Sequence, residues 1–271
     1  MALTHSFTVG RFHCTAIQDG GMVRPASYLA GLFSVPADTF ETELLARGFD
    51  PAAQPFSINI LLIDTGAHKV LVDTGEAKGG LLDGLRAINV LPETIDTVIL
   101  THGHRDHIGG IVDADGQFIY PNARYFMWGS EWTHWLNVAQ TTEEADDPLR
   151  RNLLPIQDRV TLLDTEREIV PGVCAVHAPG HTIGHMALLL ESDGERLLHL
   201  VDAAHQPIQV SIPDWSPRFD MQPDMARATR RALFERAARD RLVVMAYHFG
   251  FPGLGRVVEQ AGELRWQALD G

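Results

Sequence analysis

Four side chains of the metal-ligand type crowd into one short segment directly after an apolar run. Residues 97–101 (TVILT) have the continuous apolar pattern of a strand that is covered on both faces. His102, His104, Asp106 and His107 follow at once. Imidazole and carboxylate groups are ligands that zinc and similar divalent cations favour, so the segment predicts a metal site at the end of a buried strand.

The spacing within this segment suits two ions better than one. Alternate side chains of an extended chain face the same way, so His102 and His104 can bind the same ion. Asp106 and His107 come after the bend and can face a second ion, about 3.5–4 Å from the first, as in other two-metal sites.

Three later segments repeat the pattern of an apolar strand followed by a ligand-type residue. His181 lies in the loop APGHTIGH, Asp202 follows LHLV, and His248 follows VMAY. His181 would supply the third imidazole of a tetrahedral site, and an aspartate at the end of an apolar strand needs a partner or a metal. The remaining histidines near these segments are interpreted as structural or supporting residues: His177, His185 and His199.

The composition is that of a folded chain with an acidic surface. The 271 residues are 45% hydrophobic and 21% charged, with a formal net charge of −13. Since acidic surfaces repel phosphate backbones and no run of 18 apolar residues occurs, we expect neither a nucleic-acid nor a membrane partner. Cys14 and Cys174 form no disulfide framework, and the N-terminus lacks the pattern of a signal peptide, so we expect a cytoplasmic protein.

Local patterns predict a layered α/β protein rather than a regular βαβ repeat. The first 25 residues indicate a hairpin with turns at Gly10 and at residues 19–21, and a second hairpin follows over residues 58–72. Helices are predicted over residues 129–139, 149–160 and 223–239. No repeat or linker is evident, so residues 1–271 are expected to form one domain.

The motifs HGHRDH and GHTIGH, followed by Asp202 and His248, resemble those of the metallo-β-lactamase superfamily in its two-metal hydrolase branch. The resemblance implies an α/β fold, the αβ/βα four-layer sandwich, with a dinuclear metal site at the edge of the two sheets. It also implies two divalent ions, most simply Zn²⁺, with Mn²⁺, Fe²⁺ or Co²⁺ as alternatives. Asp73, in a DTG run at a strand end, is expected to orient a ligand by a hydrogen bond.

The same resemblance implies how the ligands are divided. Asp202 would bridge the ions, and Asp106 or Asp202 would carry a proton to the leaving group. The two ligand sets are His102, His104 and His181 for the first ion, and Asp106, His107 and His248 for the second.

Within the superfamily, the C-terminal run HFGFPGLGRV and the segment YPNARYFMWGSEWTHW are closer to the methyl parathion hydrolase-like branch, whose neighbours include bacterial lactonases. True β-lactamases lack a bridge like Asp202. Two residues depart from the branch, because Arg105 stands where relatives often have proline and His205 where they tend to have an apolar residue. These departures leave the substrate open.

An aromatic wall over the metals is one interpretation of the tryptophans in the helical segment. Trp128, Trp132 and Trp135 share a helix face, which suits core packing equally well. The resemblance favours a pocket position for Trp135, with Phe249 and His205 beside it. Such a pocket favours an apolar or aryl small molecule.

We therefore predict a metal-dependent hydrolase in which a bridging hydroxide cleaves a lactone or aryl ester, with some phosphotriesterase activity. The alternatives are a dedicated organophosphate triesterase and, with less support, a thioesterase like glyoxalase II. A di-iron redox protein is disfavoured by His104, which that branch usually replaces with glutamate. A module with a purely structural metal is a further alternative. By analogy with related enzymes, a homodimer is expected.

Overall fold

The computed structural model describes residues 3–144 and 147–269, whose strands form two seven-stranded sheets. The strands of the first sheet are β1 Thr4–Val9, β2 Phe12–Arg24, β3 Gln54–Asp64, β4 Lys69–Val72, β5 Thr97–Ile99, β6 Arg124–Trp128 and β7 Val160–Leu163. Those of the second are β8 Arg167–Val170, β9 Val173–His177, β10 Met186–Ser192, β11 Glu195–His199, β12 Val243–Met245, β13 Leu254–Gln260 and β14 Glu263–Ala268.

Helices lie outside the sheets or between their strands. The α-helices are α1 Ala26–Phe33, α2 Ala37–Ala46, α3 Leu81–Ala87, α4 Arg105–Ile108, α5 Gly129–Thr141, α6 Pro148–Leu153, α7 Ile208–Ser211 and α8 Pro223–Arg239. Short 3₁₀ segments occupy Pro92–Thr94, Leu154–Arg159 and Val201–Ala203. Of the described helices, none is both long and apolar enough to cross a membrane.

The strands of each sheet follow one another in chain order. In the first sheet β1 to β4 pair antiparallel, whereas β4, β5, β6 and β7 run parallel. In the second sheet the pair β11–β12 is parallel, and α8 connects these two strands. Parallel pairs need such crossovers, and the loops that follow β5, β11 and β12 carry ligand-type residues.

Both faces of each sheet are covered, which gives four layers. Along β3, Leu61 and Ile63 face the core between the two sheets, while Leu62 faces the core under α3, α5 and α6. On the far side, Leu233 and Phe234 of α8 cover the second sheet. The order helix, sheet, sheet, helix confirms the predicted αβ/βα sandwich.

The N-terminal hairpin differs from its prediction. The sequence predicts a turn at residues 19–21, but β2 continues to Arg24 because the long strand β3 supplies partners as far as Gln54. A bulge between Gln18 and Gly20 absorbs the extra residue. The Asp19 side chain instead accepts hydrogen bonds from the backbone amides of Glu76 and Leu81.

Two helix predictions also need adjustment. Helix α5 begins at Gly129 as expected, but Trp128 ends strand β6 and stacks on His177 at 4.3 Å between ring centroids. The helix predicted over residues 149–160 is α6 followed by a 3₁₀ segment, since Pro155 cannot donate a backbone hydrogen bond. The helix predicted over residues 223–239 is confirmed as α8.

Candidate metal centre

Loops from both sheets deliver the ligand-type side chains to one edge of the sandwich. In the first sheet, β5 leads directly to the segment that holds His102, and His104 precedes α4. In the second sheet, His181 lies between β9 and β10, Asp202 lies in the 3₁₀ segment after β11, and His248 follows β12. The sequence pattern of a strand followed by a ligand-type residue therefore produces a single cluster in space.

A first group brings together His102, His104, His181 and Asp202, whose ligand atoms all lie within 4.8 Å of one another. Nδ1 of His104 is 3.0 Å from Nε2 of His102 and 3.0 Å from Nε2 of His181. Oδ2 of Asp202 lies 3.4 Å from Nε2 of His181. Three imidazole nitrogens and a carboxylate oxygen at such separations can surround one cation.

A second group brings together Asp106, His107 and His248. Oδ2 of Asp106 is 3.5 Å from Nε2 of His248 and 3.8 Å from Nε2 of His107. Asp202 contacts this group as well, with Oδ1 3.4 Å from His107 Nε2 and Oδ2 3.2 Å from His248 Nε2. Asp202 is thus the carboxylate that touches both groups.

Hydrogen bonds on the far side of the His107 and His248 rings fix which nitrogen faces the cluster. Nδ1 of His107 lies 2.8 Å from a carboxylate oxygen of Asp73, and Nδ1 of His248 lies 2.8 Å from the Ser57 carbonyl oxygen. Since these oxygens accept, both Nδ1 atoms donate, and each Nε2 faces the cluster, where a bound cation would take the place of its proton. This tautomer is the one that a metal ligand needs.

Asp73 supports a second histidine through Thr101. Its carboxylate accepts hydrogen bonds from the Thr101 backbone amide and hydroxyl, both at 2.8 Å. Because the hydroxyl donates to Asp73, it accepts from Nδ1 of His102 at 3.2 Å. The structure therefore places Asp73 where it orients His107 directly and His102 indirectly.

The residues fit cations on two independent observations. Nε2 of His107 and Oδ1 of Asp202 are buried without a hydrogen-bond partner, and both face the cluster. Burial and the nearby His181 imidazole lower the pKa of His104 to about 3, so its ring is neutral and able to ligate. Burial opposes ionisation of Asp202, but the His248 and His107 imidazoles hold its pKa well below the usual range.

His205 lies inside the cluster instead of in the wall of the pocket. Its Nε2 is 3.2 Å from Oδ2 of Asp202, and its side chain is fully buried. Asp202, His205 and His248 form a third group with metal-ligand spacing. The sequence predicts that His205 lies in the wall of the pocket, whereas in the structure its ring contacts Asp202 within the cluster.

A cavity of about 730 Å³ opens onto the cluster, and His104, Asp106, Asp202 and His248 reach its floor. Its aromatic wall comes from three separate elements. These rings are Trp135 of α5, Phe56 of β3 and Phe219 in the loop before α8.

The structure corrects the prediction for Phe249. Its ring is 1% exposed and packs edge-on against Trp266, at 4.9 Å between centroids, in the core beneath α8. The chain turns after His248, so the next side chain points away from the cavity. Phe56 takes the aromatic position instead and stacks on His248 at 4.3 Å.

Two further carboxylates support the cluster, and sequence reasoning missed both. Asp220 accepts from Nδ1 of His181 at 2.9 Å and forms a buried ion pair with Arg230. Glu131 accepts from the backbone amides of Gly103 and Gly184. Glu131 could have been noticed because it lies one helical turn before Trp135, whereas no local pattern marks Asp220.

Comparison with known proteins settles the family. The family model of the "Metallo-beta-lactamase superfamily" matches residues 53–248, which include all seven ligand-type residues of the first two groups. The chain belongs to the metallo-beta-lactamase superfamily. It is a metal-dependent hydrolase of that superfamily, with His and Asp groups placed to hold the metal.

Individual members of the superfamily are similar over long stretches. An N-acyl homoserine lactonase of a Bacillus species is 27% identical over 213 residues, which cover 69% of this chain and 79% of the relative. The solved structure of AidC, a dizinc quorum-quenching lactonase, has a TM-score of 0.89 at 24% identity and covers 100% of this chain and 98% of its own. The hydrolase AbOPH has a TM-score of 0.85 at 26% identity, covering 100% and 99%.

Proposed function

We propose that this protein hydrolyses lactones of the N-acyl homoserine class at a centre of two divalent cations, most simply zinc. The observation that carries the proposal is the position of Asp202, which contacts both ligand groups at the floor of an aromatic-walled cavity. The lactonase among its relatives supports the substrate class. We also place the chain near the methyl parathion hydrolase-like branch, which rests on the sequence motifs.

We assign the ligands of the two cations by the groups in the structure. Asp202 would touch both ions. The other ligands would be His102, His104 and His181 for one ion, and Asp106, His107 and His248 for the other. Two cations there would supply an activated water shared between them and would polarise the carbonyl or phosphoryl oxygen under attack.

The chain's own carboxylates differ in their access to a substrate. The Asp106 side chain is 28% exposed and lines the cavity, whereas that of Asp202 is 3% exposed. The Asp106 carboxylate keeps its pKa below the ordinary value, because the His107 and His248 imidazoles outweigh the effect of burial. We propose that the Asp106 carboxylate accepts a proton during attack and returns it to the leaving alkoxide.

The wall of the cavity suits an acyl chain or an aryl group. Trp135, Phe56 and Phe219 present rings beside the cluster, with Ile58 and Met22 further along the cavity. Rings and apolar side chains remove an acyl chain from water, while the lactone carbonyl reaches the floor. The same wall accepts an aryl ester or an aryl phosphotriester, so we propose these as slower substrates.

The test combines metal content with a substrate panel. Protein purified without chelator is analysed for metals per chain and assayed on an acyl-homoserine lactone, dihydrocoumarin, p-nitrophenyl acetate and methyl paraoxon. We expect about two metals and the highest kcat/KM on the lactones. Asp202→Ala should lose more activity than the roughly 10–100-fold expected for a supporting residue, whereas the exposed Asp115→Ala should not.

Other outcomes would change the assignment. A kcat/KM on methyl paraoxon far above that on every lactone would make the protein a dedicated triesterase. Failure on the whole panel after loading with zinc, manganese or cobalt would overturn the substrate class.

We further propose that residues 1–271 act as one domain, because the ligand groups take side chains from loops of both sheets. Neither sheet alone would hold all the ligands of the first group or of the second.

A further inference from the structure

Glu131 is a fully buried carboxylate that accepts hydrogen bonds from three N–H groups. One oxygen, Oε1, accepts from the backbone amide of Gly103 at 3.0 Å and from the indole nitrogen of Trp135. The other, Oε2, accepts from the backbone amide of Gly184 at 2.7 Å. Such an arrangement compensates the charge of a buried carboxylate without any need for a cation.

The three donors belong to three different parts of the centre. Gly103 lies between His102 and His104 in the loop after β5. Gly184 lies in the loop that carries His181 in the second sheet, and Trp135 is part of the cavity wall. One side chain on α5 therefore joins both histidine loops of the first ligand group to the ring that faces the substrate.

The two glycines that donate to Glu131 lie too close to α5 to carry a side chain. A Cβ atom on Gly103 would lie 2.3 Å from Cδ1 of Trp135, so the indole rests directly on the loop backbone. A Cβ atom on Gly184 would lie 2.5 Å from Oγ of Ser130. Side chains at either position would force the loop away from α5, so both glycines are required by close approach rather than by turn geometry.

We propose that Glu131 is a positioning residue that sets the separation of the two histidine loops and the angle of Trp135 over the cavity. Through the loops it controls metal affinity. Through Trp135 it controls which acyl chain lengths the cavity accepts, and this second part rests on the proposed lactonase function.

The decisive variant is Glu131→Gln. A glutamine keeps one acceptor oxygen but replaces the other with an NH₂ group, which would face a backbone N–H donor. We expect zinc affinity, measured by competition with a chromophoric chelator, to fall about 10–100-fold. We also expect the kcat/KM ratio of decanoyl- to butanoyl-homoserine lactone to change by about tenfold.

Two further variants separate the roles. Trp135→Phe keeps an aromatic ring and removes one donor, so it should change the chain-length ratio while zinc affinity stays that of the wild type. Glu143→Gln removes an exposed charge just after α5 and should change neither quantity. If Glu131→Gln does not fold, Trp135→Phe and amide exchange of the wild type carry the test, with Gly103 and Gly184 expected to be protected even without metal.

Specific results would overturn the proposal. A folded Glu131→Gln protein with wild-type zinc affinity would limit Glu131 to a structural role. Rapid exchange of both glycine amides in the metal-free wild type would show that Glu131 does not hold the two loops together. An unchanged chain-length ratio in Trp135→Phe would remove the claim on selectivity. If the wild type hydrolyses no lactone, the substrate proposal fails, but the zinc and exchange measurements still decide the role of Glu131 in the loops.

Discussion

At the scale of single residues, three imidazoles of the centre are fixed by an acceptor behind the ring. The acceptors come from distant parts of the chain: Asp73 behind His107, the Ser57 carbonyl behind His248, and Asp220 behind His181. A ring held in this way presents its lone pair without a further loss of orientational freedom when a cation binds. Substitutions behind the rings should therefore affect metal binding without touching the metal.

Asp220→Asn tests this expectation at Asp220, which accepts from His181 and also pairs with Arg230. The substitution weakens the acceptor for His181 and leaves the buried Arg230 without its anion. We expect stability to fall by about 3 kcal/mol, at the low end for a broken buried pair because Arg230 keeps backbone acceptors. Zinc affinity should fall about 10–100-fold. Urea unfolding and chelator competition measure the two effects, and the exposed Asp224→Asn is the control.

His177 gives a pH dependence that is independent of the metal ligands. Its partial burial, with the ring stacked on Trp128, lowers its pKa below 6.5. Below pH 6.5 the unfolded chain then binds more protons than the folded one, so this contribution to stability, present above pH 6.5, is lost as the pH falls. The stability difference between wild type and His177→Gln should shrink below pH 6.5. A difference that is constant from pH 5 to 8 would contradict the stacking argument.

At the scale of elements, the irregular parts of the strands place the groups that the cavity needs. The bulge in β2 turns Asp19 towards the loop before α3, where its carboxylate accepts from two backbone amides. The extension of β2 and β3 beyond the bulge carries Gly21, Met22 and Phe56 to the cavity. A simple turn at residues 19–21 would have left this side of the cavity open.

Gly79→Ala tests the contact between Asp19 and this loop. A Cβ atom at Gly79 would lie 2.0 Å from the Asp19 carboxylate, so the loop must move. We expect a loss of about 1–3 kcal/mol by thermal unfolding. Gly31→Ala is the matched control, because Gly31 lies in α1 with no atom within 4 Å of its Cβ position, and this change should stabilise by up to about 1 kcal/mol. Equal effects of the two substitutions would show that the contact at Gly79 is not close.

At the scale of the whole molecule, the ligand groups join two sheets that each have their own outer core. The first sheet supplies His102 and His107 and the second supplies His181, Asp202 and His248, so the centre lies across the sandwich edge. A cation bound there contacts only the folded state and therefore stabilises both sheets together. We therefore expect metal binding and cooperative unfolding to be coupled.

Removal of metal should consequently lower the Tm of the entire chain. With free zinc at about 100 times its Kd, the stabilisation is about 2.7 kcal/mol, which corresponds to roughly 5–10 °C for a chain of this size. Differential scanning calorimetry with and without chelator measures the shift, and Asp202→Ala should show a much smaller one. A chelator-independent Tm would mean that the clusters bind no metal under these conditions.

The residues that form the candidate ligand groups can be recognised from the sequence alone, because each follows a local apolar pattern. Ligand-type residues such as His102 and Asp202 follow apolar runs. A residue that follows a buried strand lies at the edge of the sheet however that strand pairs with its neighbours. The resemblance of the motifs to a known family then predicts the four layers of the sandwich. The four-layer order is therefore predictable, although no single strand contains it.

The supporting residues and the cavity wall depend on packing between segments that are far apart in sequence. Asp220 meets His181 across 39 positions, and Phe56 meets His248 across 192, so no local pattern marks either contact. Phe249 illustrates the same limit, since its direction depends on how the chain turns after His248. Residue types that lie close together in sequence indicate the candidate ligands, whereas long-range contacts decide which side chains orient them and which ones line the cavity.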